Sequence, residues 1–301
     1  LRERRKTTVK TRIIGDCPYL FLEQAVVSAL TLANWLWMMK DKPHFLVTND
    51  DGCDAEGIRL LAEALRQHGR VTLIAPDRER SAISHAFSLN HPIRLKKLAD
   101  GSYSLSGTPA DCVMFGLRGF LEDGNLPDYV FSGINQGANL GEDVIYSGTV
   151  AGALEGALFD RPSVAVSLAT EFSSRFESRR LHLETAAAFV DRFVPDLVAR
   201  GLPRGVFLNV NVPNIPLDQL TGTQFTRLGK RIYKDRVIKR IDPHGREYYW
   251  LGGDPPTHQA EEGTDFHAME MSMVSVTPLR WKMSHDRDLS YFADWPSVNL
   301  V

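Results

Sequence analysis

Only three cysteines occur in 301 residues, Cys17, Cys53 and Cys112, and none has CxxC spacing. That excludes a disulfide framework and suits a reducing, cytoplasmic compartment. Charge of one sign is also missing. The formal net charge is -2 with 24% charged residues, so neither a nucleic-acid duplex nor an acidic tail is indicated. No GxGxxG follows the first apolar strand and no GxxxxGK[ST] occurs, which argues against dinucleotide oxidoreductases and P-loop enzymes. There is no internal repeat, low-complexity tract or obvious linker. Histidine is sparse: His85, His91, His258 and His285 are scattered and read as surface or satisfied core, with His285 in "MSHDRD" the first to test as an acid.

Residues 1–42 differ from the rest. "LRERRKTTVKTR" is basic and "YLFLEQAVVSALTLANWLWMM" largely apolar, the outline of a secretory signal. Glu23, Gln24 and Asn34 interrupt the apolar run, and no clean A-x-A site follows. The expectation is an extension outside the fold, ahead of an export signal and of a membrane span.

From His44 onward apolar runs and helical patterns alternate. "HFLVTN" reads as a strand, "DAEGIRLLAEALRQHG" as a helix capped by Asp54 and ending before Gly69, and "VTLIAP" as a second strand. Two such strands around a helix make a βαβ unit whose parallel strands are buried on both faces. "IRLKKL" and "YSLSG" flank the turn "ADGS" as a hairpin. "DCVMFGLRGFL" reads as a helix, "DYVFSGIN" as a strand, "TVAGALEGALF" as a helix and "SVAVSL" as a strand. "LHLETAAAFVDRFVPDLVARG" is a long amphipathic helix, followed by the strand "GVFLNVNVP". The fold class is α/β: a three-layer α/β/α sandwich on a mostly parallel, Rossmann-like sheet. Residues 43–220 form this core. Residues 221–301 supply a long polar hairpin around "DPHG", the strand "MVSVTPL" and a short terminal helix "RDLSYFADW".

In such sheets ligands gather beyond the carboxyl ends of the strands. The first strand delivers Asn49, Asp50 and Asp51, the second Asp77 and Ser81, and a later one Asn135 and Asn139. All offer oxygen, which suits a hard divalent cation rather than zinc or copper. Each residue alone would read as a cap, a turn or a solvated charge; convergence on one rim favours a site. Ser147-Gly148-Thr149 precede a helix, where free N–H groups and hydroxyls make a phosphate cradle. Cation plus anion site implies phosphoryl chemistry. In "GTPADCV", Thr108 and Asp111 have capping-box spacing with Pro109 at the first helical position. Cys53 beside the acidic pair reads as core filler, since no thiolate-stabilising partner is evident.

"VTNDDG", "APDRERSAISHAFSL", "GTPADCV" and "SGINQGANLGEDVIYSGTVAGALEGAL", with "LNVNVP", "GTDFHA" and "VSVTPL", resemble the survival protein SurE family of nucleotidases across residues 43–300. The resemblance implies a metal-dependent phosphatase for nucleoside 5′- and 3′-monophosphates, and sometimes short polyphosphate. It places one divalent cation, Mg²⁺ or Mn²⁺, on Asp50, Asp51, Ser81 and Asn135. Phosphate contacts fall on Asn139, Ser147, Gly148 and Thr149. A cytoplasmic homodimer or homotetramer, joined through the hairpin and terminal helix, is also implied. The catalytic carboxylates would be Asp50 and Asp51; Asp50 is the candidate for activating the attacking water, and the sequence does not separate it from Asp51. A covalent aspartyl-phosphate route is disfavoured because the acids are adjacent rather than in DxD spacing. A nucleotide-sensing module without turnover is the alternative.

Overall fold

The computed structural model describes residues 42–119, 121, 125–170, 180–259, 261–284, 288–293 and 295. The segment 1–41 and His285 therefore lie outside the described residues. Among the described residues no helix is long and apolar enough to cross a membrane.

The chain runs β1 (His44–Thr48), α1 (Glu56–Arg66), β2 (Arg70–Pro76), β3 (Leu95–Lys97), β4 (Tyr103–Leu105), α2 (Pro109–Met114) and β5 (Tyr129–Gln136). It continues through α3 (Gly148–Leu158), β6 (Ser163–Ala169), α4 (Leu183–Arg200), β7 (Val206–Pro213), β8 (Gly222–Phe225), β9 (Arg231–Ile241), β10 (Glu247–His258), α5 (Asp265–Glu270) and β11 (Met273–Arg280). The main sheet has nine strands in the order β3-β4-β2-β1-β5-β6-β7-β11-β8. Strands β4, β2, β1, β5, β6 and β7 pair in parallel, as do β11 and β8, while β3 on β4 and β11 on β7 are antiparallel. The expected α/β sandwich is what forms.

Alternation along β1 feeds two cores. Phe45 and Val47 face α1 and α4, and Leu46 faces the opposite layer with Ile74, Cys112 and Val113. Ile58, Leu61 and Leu65 on one stripe of α1 are fully buried, each stabilising the fold by about 1.5–3 kcal/mol. On the other face α2 packs on α3.

Helix α3 lies unusually close to the sheet because of what its inner face lacks. A Cβ on Gly152 would sit 2.7 Å from Ser132 Oγ, and one on Gly156 would sit 2.3 Å from Ser163 Oγ. Three glycines at intervals of four, Gly148, Gly152 and Gly156, line one face of the helix. Each weakens the isolated helix by about 1 kcal/mol relative to Ala, and close packing on β5 and β6 offsets that. The helix start is thereby set against the end of β1.

Several boundaries differ from expectation. Asp54 does not cap α1; Ala55 occupies the cap with no side-chain bond. The Ala55 N–H closes a turn on the Gly52 carbonyl, so the helix begins later, and Asp54 turns to Arg59 at 3.5 Å. After α2 the backbone widens into a π-turn over Phe115–Gly119. The capping box of Thr108 and Asp111 is present, with Pro109 at the first position. The hairpin forms as a separate two-stranded sheet, β9 with β10. The strands β8 and β11, which follow residue 220, join the main sheet. Among the described residues of the terminal segment, Asp288–Phe292 forms a 3-10 turn.

Candidate active site

The strand order branches at β1: β2 and β4 lie to one side of it, and β5, β6 and β7 to the other. The carboxyl ends of β1 and β5 therefore flank a crevice of the kind in which α/β proteins bind ligands.

Asn49, fully buried, donates from Nδ2 to the Gly52 carbonyl at 2.9 Å and so folds the "NDDG" turn. The two acids then diverge. Asp50, only 4% exposed, accepts a hydrogen bond at Oδ1 from the Thr149 hydroxyl at the start of α3. Asp51 accepts at Oδ2 from the Gln136 backbone N–H at the end of β5, 3.3 Å away. The Asp50 carbonyl takes the Arg80 N–H at 2.7 Å, which draws the loop after β2, and Ser81 with it, onto the rim.

Burial pushes the Asp50 carboxyl above its ordinary range, and the Thr149 hydrogen bond opposes that shift only in part. Among the described residues no Lys, Arg or His forms an ion pair with Asp50, so nothing there offsets its charge. A carboxylate taken out of water without a counter-charge is costly. Ser81 gives its hydroxyl proton to Glu79 at 2.7 Å, which leaves its oxygen lone pairs for a cation. Asn135 gives its Nδ2 to the Gly137 carbonyl at 2.8 Å, leaving Oδ1 as the remaining acceptor. No cluster of three His, Cys, Asp or Glu suited to a metal exists among the described residues. A hard-cation site of two carboxylates, a hydroxyl and an amide fits the residues present; a zinc site does not.

Ser147 caps α3, its Oγ accepting from the Val150 N–H at 3.0 Å. A Cβ on Gly148 would stand 2.9 Å from both Cβ and Oδ2 of Asp50, so the close approach of helix and acid requires glycine there. Asp50, Ser81, Asn135, Asn139 and Ser147 line one cavity of about 1170 Å³. Asp51, Gly148 and Thr149 are not on its lining. Thr149 is fully buried, so its side chain reaches the site through Asp50. Asp77 turns to Arg80 at 3.6 Å. Cys53 and Cys112 are free and buried, and burial raises the Cys112 thiol far above its usual range. His85 pairs with the buried Glu155 of α3 at 2.8 Å. His258 is part-exposed, bonded to Glu270 and stacked on Phe266, and it also lies on the cavity lining.

Position 139 depends on residues whose role the sequence did not disclose. Asn139 donates its N–H to Asn211 Oδ1, and its carbonyl accepts from Asn209 Nδ2 at 2.8 Å and Asn211 Nδ2 at 3.0 Å. Both asparagines are fully buried on β7. Asp265 fixes the same loop farther on, accepting from the Gly141 and Gly229 N–H groups, each at 2.8 Å. The signal for the pair was the alternation in "NVN", which puts two amides on one face of a strand that is otherwise apolar.

The family model for survival protein SurE matches residues 45–235. The chain belongs to the SurE family. A 5′-nucleotidase SurE from Geobacter sulfurreducens is 47% identical over 252 residues, covering 84% of this chain and 93% of that protein. A 5′-nucleotidase SurE from Pelobacter propionicus is 46% identical, covering 84% of this chain and 99% of its own length. The crystal structure of the SurE protein from Aquifex aeolicus superposes with a TM-score of 0.73 at 41% identity, over 83% of this chain and 98% of that one. The resemblance read from the motifs is thus established for SurE membership and for the α/β fold.

Proposed function

We propose that this SurE family member is a metal-dependent phosphomonoesterase that hydrolyses nucleoside 5′- and 3′-monophosphates, and short polyphosphate, to release phosphate. The observation that carries the reading is Asp50: a buried carboxylate without a counter-charge, hydrogen-bonded to the first turn of a helix. Relatives named 5′-nucleotidase SurE at 46–47% identity support the nucleotide substrate.

Asp50, Asp51, Ser81 and Asn135 would hold one divalent cation, Mg²⁺ or Mn²⁺. When bound, it supplies positive charge beside the phosphate oxygens and makes water more acidic. Asp50 orients the attacking water and accepts its proton. Ser147, on the cavity lining at the amide end of α3 with Gly148 and Thr149 behind it, would face negative charge on the phosphoryl oxygens, and Asn139 would add its side chain from the opposite loop. Residues 43–220 carry the proposed cation and phosphate ligands, and residues beyond 220, Arg231 and Tyr233 among them, complete the cavity. The hairpin and terminal segment within 221–301 join copies into a homodimer or homotetramer, which accounts for Trp250 and Leu251 standing 63% and 88% exposed. Cys53 and Cys112, free thiols both, suit a cytoplasmic setting.

The test is phosphate release across nucleoside monophosphates with a metal panel and a chelator control. Release that stops with chelator and returns with Mg²⁺ or Mn²⁺ supports the reading. Tight nucleotide binding without release would replace it with a nucleotide-sensing module.

A further inference from the structure

The cavity that holds Asp50, about 1170 Å³, has room for far more than a phosphate, and Tyr146, Arg231, Tyr233, His258 and Phe266 are also on its lining. One short turn connects these residues to the cap of α3. The 3-10 turn Gly141–Ile145 leads through Tyr146 into Ser147, the cap of α3. Asp143 and Ser147, at either side of that connection, both line the cavity.

That turn fixes the base of the hairpin. The Arg231 N–H donates to Glu142 Oε2 at 2.6 Å, and the Arg231 guanidinium pairs with Asp143 Oδ2 at 2.6 Å. The Tyr233 hydroxyl donates to Asp143 Oδ1. Burial, and then that carboxylate, hold the phenol well above its usual range, so it stays a donor. The Tyr233 ring is thus pinned at its tip while the residue remains 42% exposed. Behind it Arg231 lies over Phe266 at 5.3 Å, and His258 stacks on Phe266 with centroids 4.6 Å apart and 2° between planes. Glu270 holds the His258 Nε2 at 2.7 Å.

We infer that Tyr233, anchored by Asp143, is the stacking platform for the heterocyclic base, making the hairpin root a specificity element of the phosphatase site. The inference rests on the nucleotidase reading and deepens it. An aromatic face held in place loses little freedom on binding, and stacking tolerates any base while favouring the larger purines. Phosphate esters without a base gain nothing from it.

The experiment compares kcat/KM for adenosine 5′-monophosphate and ribose 5-phosphate in the wild type, Tyr233→Ala and Tyr233→Phe, with Mn²⁺ present. Tyr233→Ala should lower kcat/KM for the nucleotide about tenfold or more, chiefly through KM, and leave ribose 5-phosphate within about twofold. Tyr233→Phe, which keeps the ring, should retain most of the preference. An unchanged ratio in Tyr233→Ala, with both substrates still hydrolysed, overturns the platform and leaves the nucleotidase reading standing. No release from either substrate by the wild type overturns both. A loss shared equally by the two substrates also overturns the platform, since it marks general damage to the site.

Discussion

The Thr149 hydroxyl donates to Oδ1 of Asp50 across 99 residues of sequence, joining the first turn of α3 to the end of β1. Both partners are buried. A hydroxyl in that position orients the carboxylate and favours its charged form. Residues that hold a metal ligand in place alter affinity or activity by about 10–100-fold when removed. Thr149→Val keeps the shape and deletes the donor, so the fold should persist while the apparent affinity for Mn²⁺ and kcat fall within that range. Thr149→Ser should restore most of the loss. Calorimetric Mn²⁺ titration alongside phosphate release checks both; a Val variant with unaltered metal affinity would show that the contact is only structural.

Asp50→Asn separates stability from chemistry. Burial penalises the charged carboxylate, so a neutral isostere should fold at least as well when no metal is present. Thermal unfolding in chelator should show a midpoint no lower than that of the wild type. Turnover should drop by roughly 10²–10⁴-fold, the usual contribution of a general base, and further if cation binding is lost. Full metal-dependent activity in this variant would remove Asp50 from the mechanism.

Gly148→Ala asks whether the close approach of helix and acid matters. Alanine favours the helix by about 1 kcal/mol, yet its Cβ would fall 2.9 Å from Oδ2 of Asp50. The methyl and the carboxylate cannot both keep their places. Weaker Mn²⁺ binding and slower turnover are expected, with far-UV circular dichroism unchanged. An alanine variant as active as the wild type would mean that Asp50 yields without consequence.

The fold was legible because its signals are local and repeated. Continuous apolar runs gave β1, β2, β5, β6 and β7, and "GTPADCV" carried a complete capping box. Strand ends in this class converge, and that brought Asp50, Ser81, Asn135, Asn139 and Ser147 to one cavity, while Asp51, Gly148 and Thr149 stay off its lining. What was hidden is long-range. Nothing near Thr149 in sequence says that its hydroxyl is spent on Asp50 rather than on a ligand. Nothing near Asn209 or Asn211 names Asn139, some 70 and 72 residues away, as their partner. The helix start at Asp54 failed through competition: a turn closed by Gly52 displaced the better capping residue. Strand β8 was too short and too polar to stand out, and it forms only because β11 offers an edge.

His44, buried at the start of β1, gives the acid limit of stability a specific origin. Its Nδ1 accepts from the Arg70 guanidinium at 3.0 Å, and its Nε2 donates to the Thr72 hydroxyl at 2.8 Å. The Nδ1 bond requires the neutral ring, since a protonated ring has no acceptor for Arg70 and sets a second positive charge against it; the Nε2–H bond survives protonation. Burial, and then the Arg70 charge, hold its pKa below the ordinary 6.5. The unfolded chain takes up this proton near pH 6.5, whereas the folded chain resists until lower pH. Stability from this site is therefore fully present above pH 6.5 and declines as pH falls through the folded pKa. The slope is bounded by one proton, about 1.4 kcal/mol per pH unit. Gln at this position can accept from Arg70 and donate to Thr72 without titrating. Denaturant midpoints followed from about pH 8 to about pH 5 should fall less steeply in His44→Gln than in the wild type. Parallel curves would assign the acid sensitivity to other groups.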